Sequence, residues 1–245
     1  MVHDTIVCIE RSDAIRYAAQ ELRTLGLQVV TKAAPDAAHV LLPVPSFPGG
    51  DRYLAHILAD LPDEVVISGG NLHSDLLQGY QTVDFLKDPY YLAENAAITA
   101  SAAIGIVEEQ LGGSLVVFPV LVIGWGRIGK CLSKLLAEAG ANVTVAARKD
   151  TDRAMIRALG SHSISITDAA NQLLHYRAII NTAPEMVLPN IVTQPDCVVL
   201  ELASQPGMSG PNIIDGRGLP GKLAPKASGR LIARTFIRLS LGKEQ

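Results

Sequence analysis

Three glycines, Gly124, Gly126 and Gly129, stand in the run VLVIGWGRIGK at GxGxxG spacing. Such a spacing is common by chance, so its surroundings decide what it can do. A short β-branched run, VLVIG, comes immediately before it. A helical pattern from Arg127 to Ala139 opens immediately after, with Ile128, Leu132, Leu135 and Leu136 on one face. In that setting the first glycine permits a tight turn, the second lets backbone approach a pyrophosphate, and the third lets the helix pack close to the strand. The helix start offers unpaired N–H groups and the positive end of its dipole to phosphates. Gly124, Gly126, Arg127, Ile128 and Gly129 are therefore the expected dinucleotide-binding loop, against the plainer reading of a glycine turn with no ligand. Trp125 inside the loop reads as a cap on the cofactor cleft.

The end of the following strand chooses between dinucleotides. NAD sites place an acid there to bind the ribose hydroxyls. Here NVTVAA runs into Ala147, Arg148 and Lys149, so the acid position is empty and a cation follows it. Arg148 can pair with a 2′-phosphate through charge-assisted hydrogen bonds. The expected cofactor is NADP, with Ala147, Arg148 and Lys149 at its adenosine end. The alternative is that Arg148 and Lys149 form a solvated loop.

Elements that alternate in type must position these groups. TIVCI, LQVV, HVLLPV and EVVIS read as strands, with a helix after the first that Ser12 or Asp13 can cap. Residues Pro89 to Leu111 form a long alanine-rich helical stretch, and a second αβ unit begins near Val116. After VLVIG and NVTVAA come helices Thr151 to Leu159 and Asp168 to Leu174, strands AIINT and CVVLELA, a glycine- and proline-rich loop from Gly207 to Gly221, and a final helix from Arg230 to Leu241. Strand–helix–strand order implies parallel sheets with right-handed crossovers. The expected fold class is α/β with two domains: a flavodoxin-like N-terminal domain over 1–94 and a Rossmann NAD(P)-binding domain over 95–227. In open parallel sheets ligands sit beyond the carboxyl ends of strands. Asn181, Thr182, Ala183 and Pro184 in INTAP, Ser204 and Gln205 after CVVLELA, and Ser68 and Gly69 in ISGGN occupy such ends. Asn95 and Thr99 are one helical turn apart and share a face.

Bulk properties exclude several classes. The chain has 245 residues, 48% hydrophobic and 18% charged, with a net charge of −3. That suits a well-packed α/β protein and gives no basic footprint for nucleic acid. The three cysteines, Cys8, Cys131 and Cys197, are far apart and read as buried thiols of a reducing compartment. The six histidines are scattered, so no metal site is expected, and no GxSxG elbow points to a hydrolase. MVHDTIVCIERSD is not a signal peptide, and no apolar run approaches the ~20 residues of a membrane span. A cytoplasmic protein without membrane or nucleic-acid contact is expected.

LVIGWGRIGKCLSKLLAEAGANVTVAARK, INTAP, ELASQPG and GLPGKLAPKASG follow one another in this order. Together they resemble the dipicolinate synthase A subunits of bacterial spore formation, which are related to the D-isomer-specific 2-hydroxyacid dehydrogenases. ENAAITASAAIG resembles their linking helix, and LLPV and ISGGN resemble pieces of their N-terminal domain. The combination of ASxPG with GLPGKxAPKxxG is far more specific than the glycine loop. The resemblance implies NADP-dependent oxidation of dihydrodipicolinate to dipicolinate, late in dipicolinic acid biosynthesis during sporulation. It also implies three structural features: a partner in the form of a flavoprotein-like B subunit, a homo-oligomer (a dimer built through the linking helix), and a C-terminal helix, 228–245, that packs back on the first domain. Three departures stand out. Gln205 takes the place of a usual basic residue, no acid stands near Ser101, and the segment between Gly207 and Gly218 is several residues shorter.

That reaction needs cations for two carboxylates and an acceptor for one proton. Lys226 in APKASG is the first choice, because the resemblance places it where related dehydrogenases carry a histidine. Desolvated, a lysine can act as a base; charged, it binds a carboxylate. Asn181 and Ser204 complete the expected catalytic set. Ser68, Gly69, Asn95, Thr99, Gln205 and Lys222 form the expected substrate-binding set. The Gln205 departure leaves open an NADP-dependent reductase or dehydrogenase of another 2-oxo or cyclic imino acid. It also leaves open a non-catalytic NADP(H)-binding subunit that scaffolds or regulates a partner.

Overall fold

Short apolar runs dominate the strands because both faces of each sheet are covered, as parallel sheets require. The computed structural model describes residues 5–46 and 52–242. Phe47 to Gly50 of the expected PSFPGG loop, the first four residues and the last three lie outside them. In chain order the first elements are β1 (Thr5–Cys8), α1 (Asp13–Thr24), β2 (Val29–Val30), β3 (Ala37–Leu41), α2 (Arg52–Leu58), β4 (Val66–Gly69), β5 (Gln81–Asp84) and α3 (Pro89–Leu111). All five strands are parallel, in the order β2-β1-β3-β4-β5. This is the flavodoxin-like order. Ser12, rather than Asp13, caps α1 by accepting from the Ile15 N–H at 3.4 Å.

The second set comprises β6 (Pro119–Ile123), α4 (Arg127–Glu138), β7 (Asn142–Ala146), α5 (Asp150–Ala158), β8 (His162–Ile164), α6 (Ile166–Ala170), β9 (Ala178–Asn181), β10 (Val198–Glu201), β11 (Ile213–Asp215), α7 (Leu219–Leu223) and α8 (Pro225–Ser240). Its sheet is again wholly parallel, in the order β11-β10-β9-β6-β7-β8. Counted from β6, that is the doubly wound dinucleotide-binding order, with its switch point between β6 and β9. The α/β class with two parallel sheets is therefore borne out. Two details differ from the sequence reading. The expected helix Asp168 to Leu174 is a short α6 followed by a 3₁₀ turn at Leu173–His175. The glycine-rich loop after Gly207 contains the edge strand β11.

The chain divides into two compact units, 1–95 with 220–245, and 96–219. In the first, Val7, Val40, Leu42, Leu54, Val65 and Ile67 form a core beneath the sheet. Cys8, next to Val7 in β1, is also buried, and burial pushes its thiol up to about 12, so it stays protonated at neutral pH. Within the second unit, Val120, Val122, Leu132, Leu136, Val145 and Ile180 pack on one side of the sheet. Leu121, Ile123, Ile179 and Val199 pack on the other.

Helix α8 belongs to the first unit. Pro225 opens it, where the lost N–H has no intrahelical partner to miss. It packs on α1. Gly229 is the point of close approach: a Cβ there would lie 2.5 Å from the Tyr17 Cβ and 2.6 Å from the Ala14 carbonyl oxygen. Arg230, Arg234 and Arg238 recur every four residues and pair with Glu21, Glu94 and Asp88. The first two pairs are exposed and add little individually, while Asp88 is largely buried; the close contact at Gly229 sets how near the two helices come. The variant Gly229→Ala is expected to lose about 1–3 kcal/mol of stability by overpacking, read as a lower midpoint in urea unfolding.

Candidate functional site

The turn that joins β6 to α4 is built on contacts that only glycine permits. Gly124 has a φ of +100°, a conformation L side chains rarely adopt. A Cβ on Gly129 would sit 2.2 Å from the Gly124 carbonyl oxygen, so α4 packs directly against the turn. A Cβ on Gly126 would meet nothing within 4 Å. Gly126 is also the N-cap of α4 and has no side chain to bond the first-turn N–H groups. Those donors therefore remain available to a ligand. Arg127 is exposed beside them, and Ile128 packs into the core beneath.

A cleft of about 420 Å³ opens on this turn. Gly124, Gly126, Ala147, Arg148, Thr182 and Pro184 line it, together with Trp125, Lys149, Asp152 and Ala183. It thus gathers most of the expected cofactor-binding residues at the carboxyl ends of β6, β7 and β9. Ala147 is buried and carries no acid; Arg148 and Lys149 are exposed. The Trp125 ring has the Lys130 ammonium 5.9 Å from its centre, a cation–π distance. Thr182 ties the far wall to the turn by donating from Oγ1 to the Ile123 carbonyl at 2.8 Å.

Sequence reasoning missed two residues that shape this cleft. Arg153, on α5, donates from Nη1 to the carbonyls of Ala147 (2.7 Å) and Arg148 (2.8 Å). It fixes the backbone that presents Arg148. Glu201 ends β10 with only 5% exposure. Its Oε1 accepts from Asn181 Nδ2 (2.8 Å) and the Ala203 N–H (3.0 Å), and its Oε2 from the N–H groups of Gly207 (2.9 Å) and Met208 (3.2 Å). The signal was present: an acid inside an apolar strand must find donors or be costly to bury.

Several expected site residues prove to be committed elsewhere. Asn181 is fully buried; its Nδ2 donates to Glu201 and to the Ala183 carbonyl, and its Oδ1 accepts from the Ala183 N–H. That corrects the expectation of Asn181 as a group meeting substrate, since its amide is spent on holding two turns. Ser68 is likewise fully buried, with its hydroxyl 2.8 Å from the Ser240 hydroxyl on α8. Gly69 lies under the Ser46 side chain, where a Cβ would be 2.4 Å from Oγ. Neither offers a free surface to substrate. Thr99 is buried and Asn95 half-buried on α3, each already engaged by another group, and the unit boundary falls between them.

Ser204 and Gln205 are exposed beyond β10. Lys222 is exposed near the end of α7 and is not without a partner. Lys226 is exposed on the first turn of α8, at a groove of about 280 Å³ shared with Tyr17, Glu21 and Arg230. Within its own unit it is not the desolvated lysine expected of a base. Among the described residues no cluster of three or more His, Cys, Asp or Glu could hold a metal, and no helix is long and apolar enough to cross a membrane.

The Glu201 network tests the construction of the site directly. In Glu201→Gln one amide N–H₂ would replace a carboxylate oxygen that faces N–H donors. The expected cost is about 1–3 kcal/mol from unmatched buried groups. Urea unfolding reads the loss of stability, and faster hydrogen exchange at Gly207 and Met208 localises it.

Comparison with known proteins sets this geometry in context. No protein-family model matches the chain. The A subunit of dipicolinate synthase from Bacillus subtilis is 32% identical over 131 residues, which cover 49% of this chain and 44% of that protein. The sequence match thus spans less than half of that relative. The crystal structure of the dipicolinate synthase A subunit from Bacillus halodurans superposes with a TM-score of 0.82 at 22% identity, covering 99% of each chain. The transhydrogenase of Sinorhizobium meliloti gives 0.74 at 15% identity, over 97% of this chain and 84% of that one. These two likenesses establish the fold. The expected resemblance is therefore borne out: the chain is similar to the dipicolinate synthase A subunits in sequence over about half its length and in fold over nearly all of it.

Proposed function

We propose that the chain is an NADP-dependent oxidoreductase that oxidises dihydrodipicolinate to dipicolinate. The observation that carries the cofactor half is the cleft at the end of β6, where an uncapped helix start, an empty acid position at Ala147 and the exposed Arg148 face one space. The observation that carries the substrate half is the sequence match to the A subunit of dipicolinate synthase.

The residues fit a dinucleotide. Backbone N–H groups at Gly126, Arg127 and Ile128 bind the pyrophosphate, and the open space at Gly126 lets it approach. Arg148 binds the 2′-phosphate, with Lys149 beside it. Thr182, Ala183 and Pro184 form the wall opposite. NADP, when bound, supplies a hydride acceptor. The substrate loses a hydride from one ring carbon and a proton from a neighbouring position, and aromatisation drives the loss. Ser204 and Gln205, exposed beyond β10, orient the substrate by hydrogen bonds. Lys226 receives the proton or holds a carboxylate, and Lys222 adds a second cation. Lys222 and Lys226 belong to the unit formed by 1–95 with 220–245, and Ser204, Gln205 and the cofactor cleft to the unit 96–219. A cytoplasmic homodimer working with a flavoprotein-like B subunit completes the proposal.

Gln205 favours a second reading. Its neutral amide replaces the family's cation and would hold a carboxylate more weakly, which suits oxidation or reduction of a different cyclic imino or 2-oxo acid. A chain that binds NADP(H) and turns nothing over would instead serve to scaffold or regulate a partner.

Fluorescence titration of the full chain with NADPH and NADH is the direct test, with NADPH expected to bind more tightly. Arg148→Ala is expected to weaken NADPH about tenfold, the scale of one charge-assisted contact, and to leave NADH within about twofold. Equal affinity for the two cofactors in the wild type would remove the NADP assignment. In a dihydrodipicolinate assay, Lys226→Ala should abolish turnover while leaving NADPH binding intact. Unchanged turnover would take Lys226 out of the mechanism.

A further inference from the structure

Arg148 already has a partner. Its Nη2 lies 3.0 Å from Glu185 Oε2. Arg148 follows β7 and Glu185 follows β9, and in the sheet β6 lies between those two strands. The ion pair therefore reaches over the carboxyl end of β6, across the mouth of the cleft that the glycine turn opens. Asp152, on the first turn of α5, lines the same cleft. The adenosine end thus holds two cations, Arg148 and Lys149, and two acids, Asp152 and Glu185, rather than a bare positive patch.

We propose that Glu185 is a specificity-determining residue that moderates the cleft's preference for a 2′-phosphorylated dinucleotide by competing for Arg148. The inference rests on the assignment of Arg148 to the 2′-phosphate. A ligand with a 2′-phosphate must take Arg148 from Glu185 and leave that carboxylate near a second anion. A ligand with a 2′-hydroxyl brings no charge and disturbs the pair little. Glu185 therefore weakens NADPH more than NADH. It lowers the preference without removing it, because the pair is well exposed (73% and 60% for the two side chains) and water screens the exchange. A cleft so balanced can also release a phosphorylated product cofactor, where an unopposed arginine would retain it.

The test is Glu185→Gln in the full chain, titrated with NADPH, NADH and 2′,5′-ADP at low ionic strength. NADPH and 2′,5′-ADP are expected to tighten about three- to tenfold, the range of an exposed charge pair, and NADH to change less than about twofold. Added salt should shrink the gain, since screening weakens the competition in the wild type. In an Arg148→Ala background the same substitution should produce little gain. An unchanged NADPH:NADH ratio in Glu185→Gln overturns the inference, and so does an equal tightening of both cofactors. A full gain in the Arg148→Ala background would overturn competition through Arg148. Failure of the underlying cofactor assignment looks different: the wild type would bind NADPH and NADH equally, or bind neither, and both readings would fall together.

Discussion

The buried carboxylate of Glu201 is the constraint on which the rest of the second unit's site depends. An ionised acid at the end of an apolar strand is tolerated only when donors surround it. Here they come from Asn181 Nδ2 and from the N–H groups of Ala203, Gly207 and Met208. These bonds fix the turn after β10 and, through Asn181, the turn after β9. Asn181 then holds Ala183 from both sides of its amide. The next residue in the chain after Asn181, Thr182, reaches the Ile123 carbonyl at the base of the glycine turn. Hydrogen bonds and the peptide link from Asn181 to Thr182 thus lead from one buried acid to the glycine turn. Gly207 is glycine because this network is tight: a Cβ there would lie 2.3 Å from Asn181 Nδ2.

Charge at the cleft mouth is a local matter superimposed on that frame. The chain as a whole carries −3, which would disfavour a phosphate if long-range charge decided. At physiological ionic strength exposed charges beyond about 8 Å are screened, so the few groups at the cleft mouth dominate. Arg153 sets the backbone there and Glu185 sets how much of Arg148's charge is free. The two acids beside two cations make this an adjustable end of the site, whereas the glycine turn, with its Cβ-excluding contacts, is not adjustable.

Legibility in the sequence followed burial. The run from β6 through α4 to β7 was plain because a buried strand, a glycine turn and an amphipathic helix each leave a strong periodic mark. The edge strands β5, β8 and β11 were not. They are three or four residues long and carry exposed or half-buried side chains, as in QTVD and IID, so no apolar run announces them. The site was harder than the fold, since a polar side chain at a strand end suits a ligand or a turn equally well. Asn181 went to the turn because Glu201, 20 residues away, claimed it. Ser68 went to Ser240, 172 residues away, a partner no local pattern could supply. Glycine spacing fared better because the positive φ of Gly124 and the close approach of Gly129 to the Gly124 carbonyl are set within the loop itself.

The same distinction bears on what the likeness to the dipicolinate synthase A subunits carries. The stretches that carry the resemblance most specifically, ELASQPG and GLPGKLAPKASG, contain Glu201, Gly207, Pro225 and Gly229, and each of these has a structural duty visible in its contacts. Residues at those positions serve the fold. Ser204, Gln205, Lys222 and Lys226 lie in the same stretches but are exposed. Packing does not dictate them, so substitution there can alter the chemistry at little cost to stability. Gln205 is such a position, set one residue from Ser204 in a loop that Glu201 holds on both sides. The second unit can therefore keep its glycine turn and its cleft whatever stands at these exposed positions, because the hydrogen bonds that hold the turn do not involve their side chains.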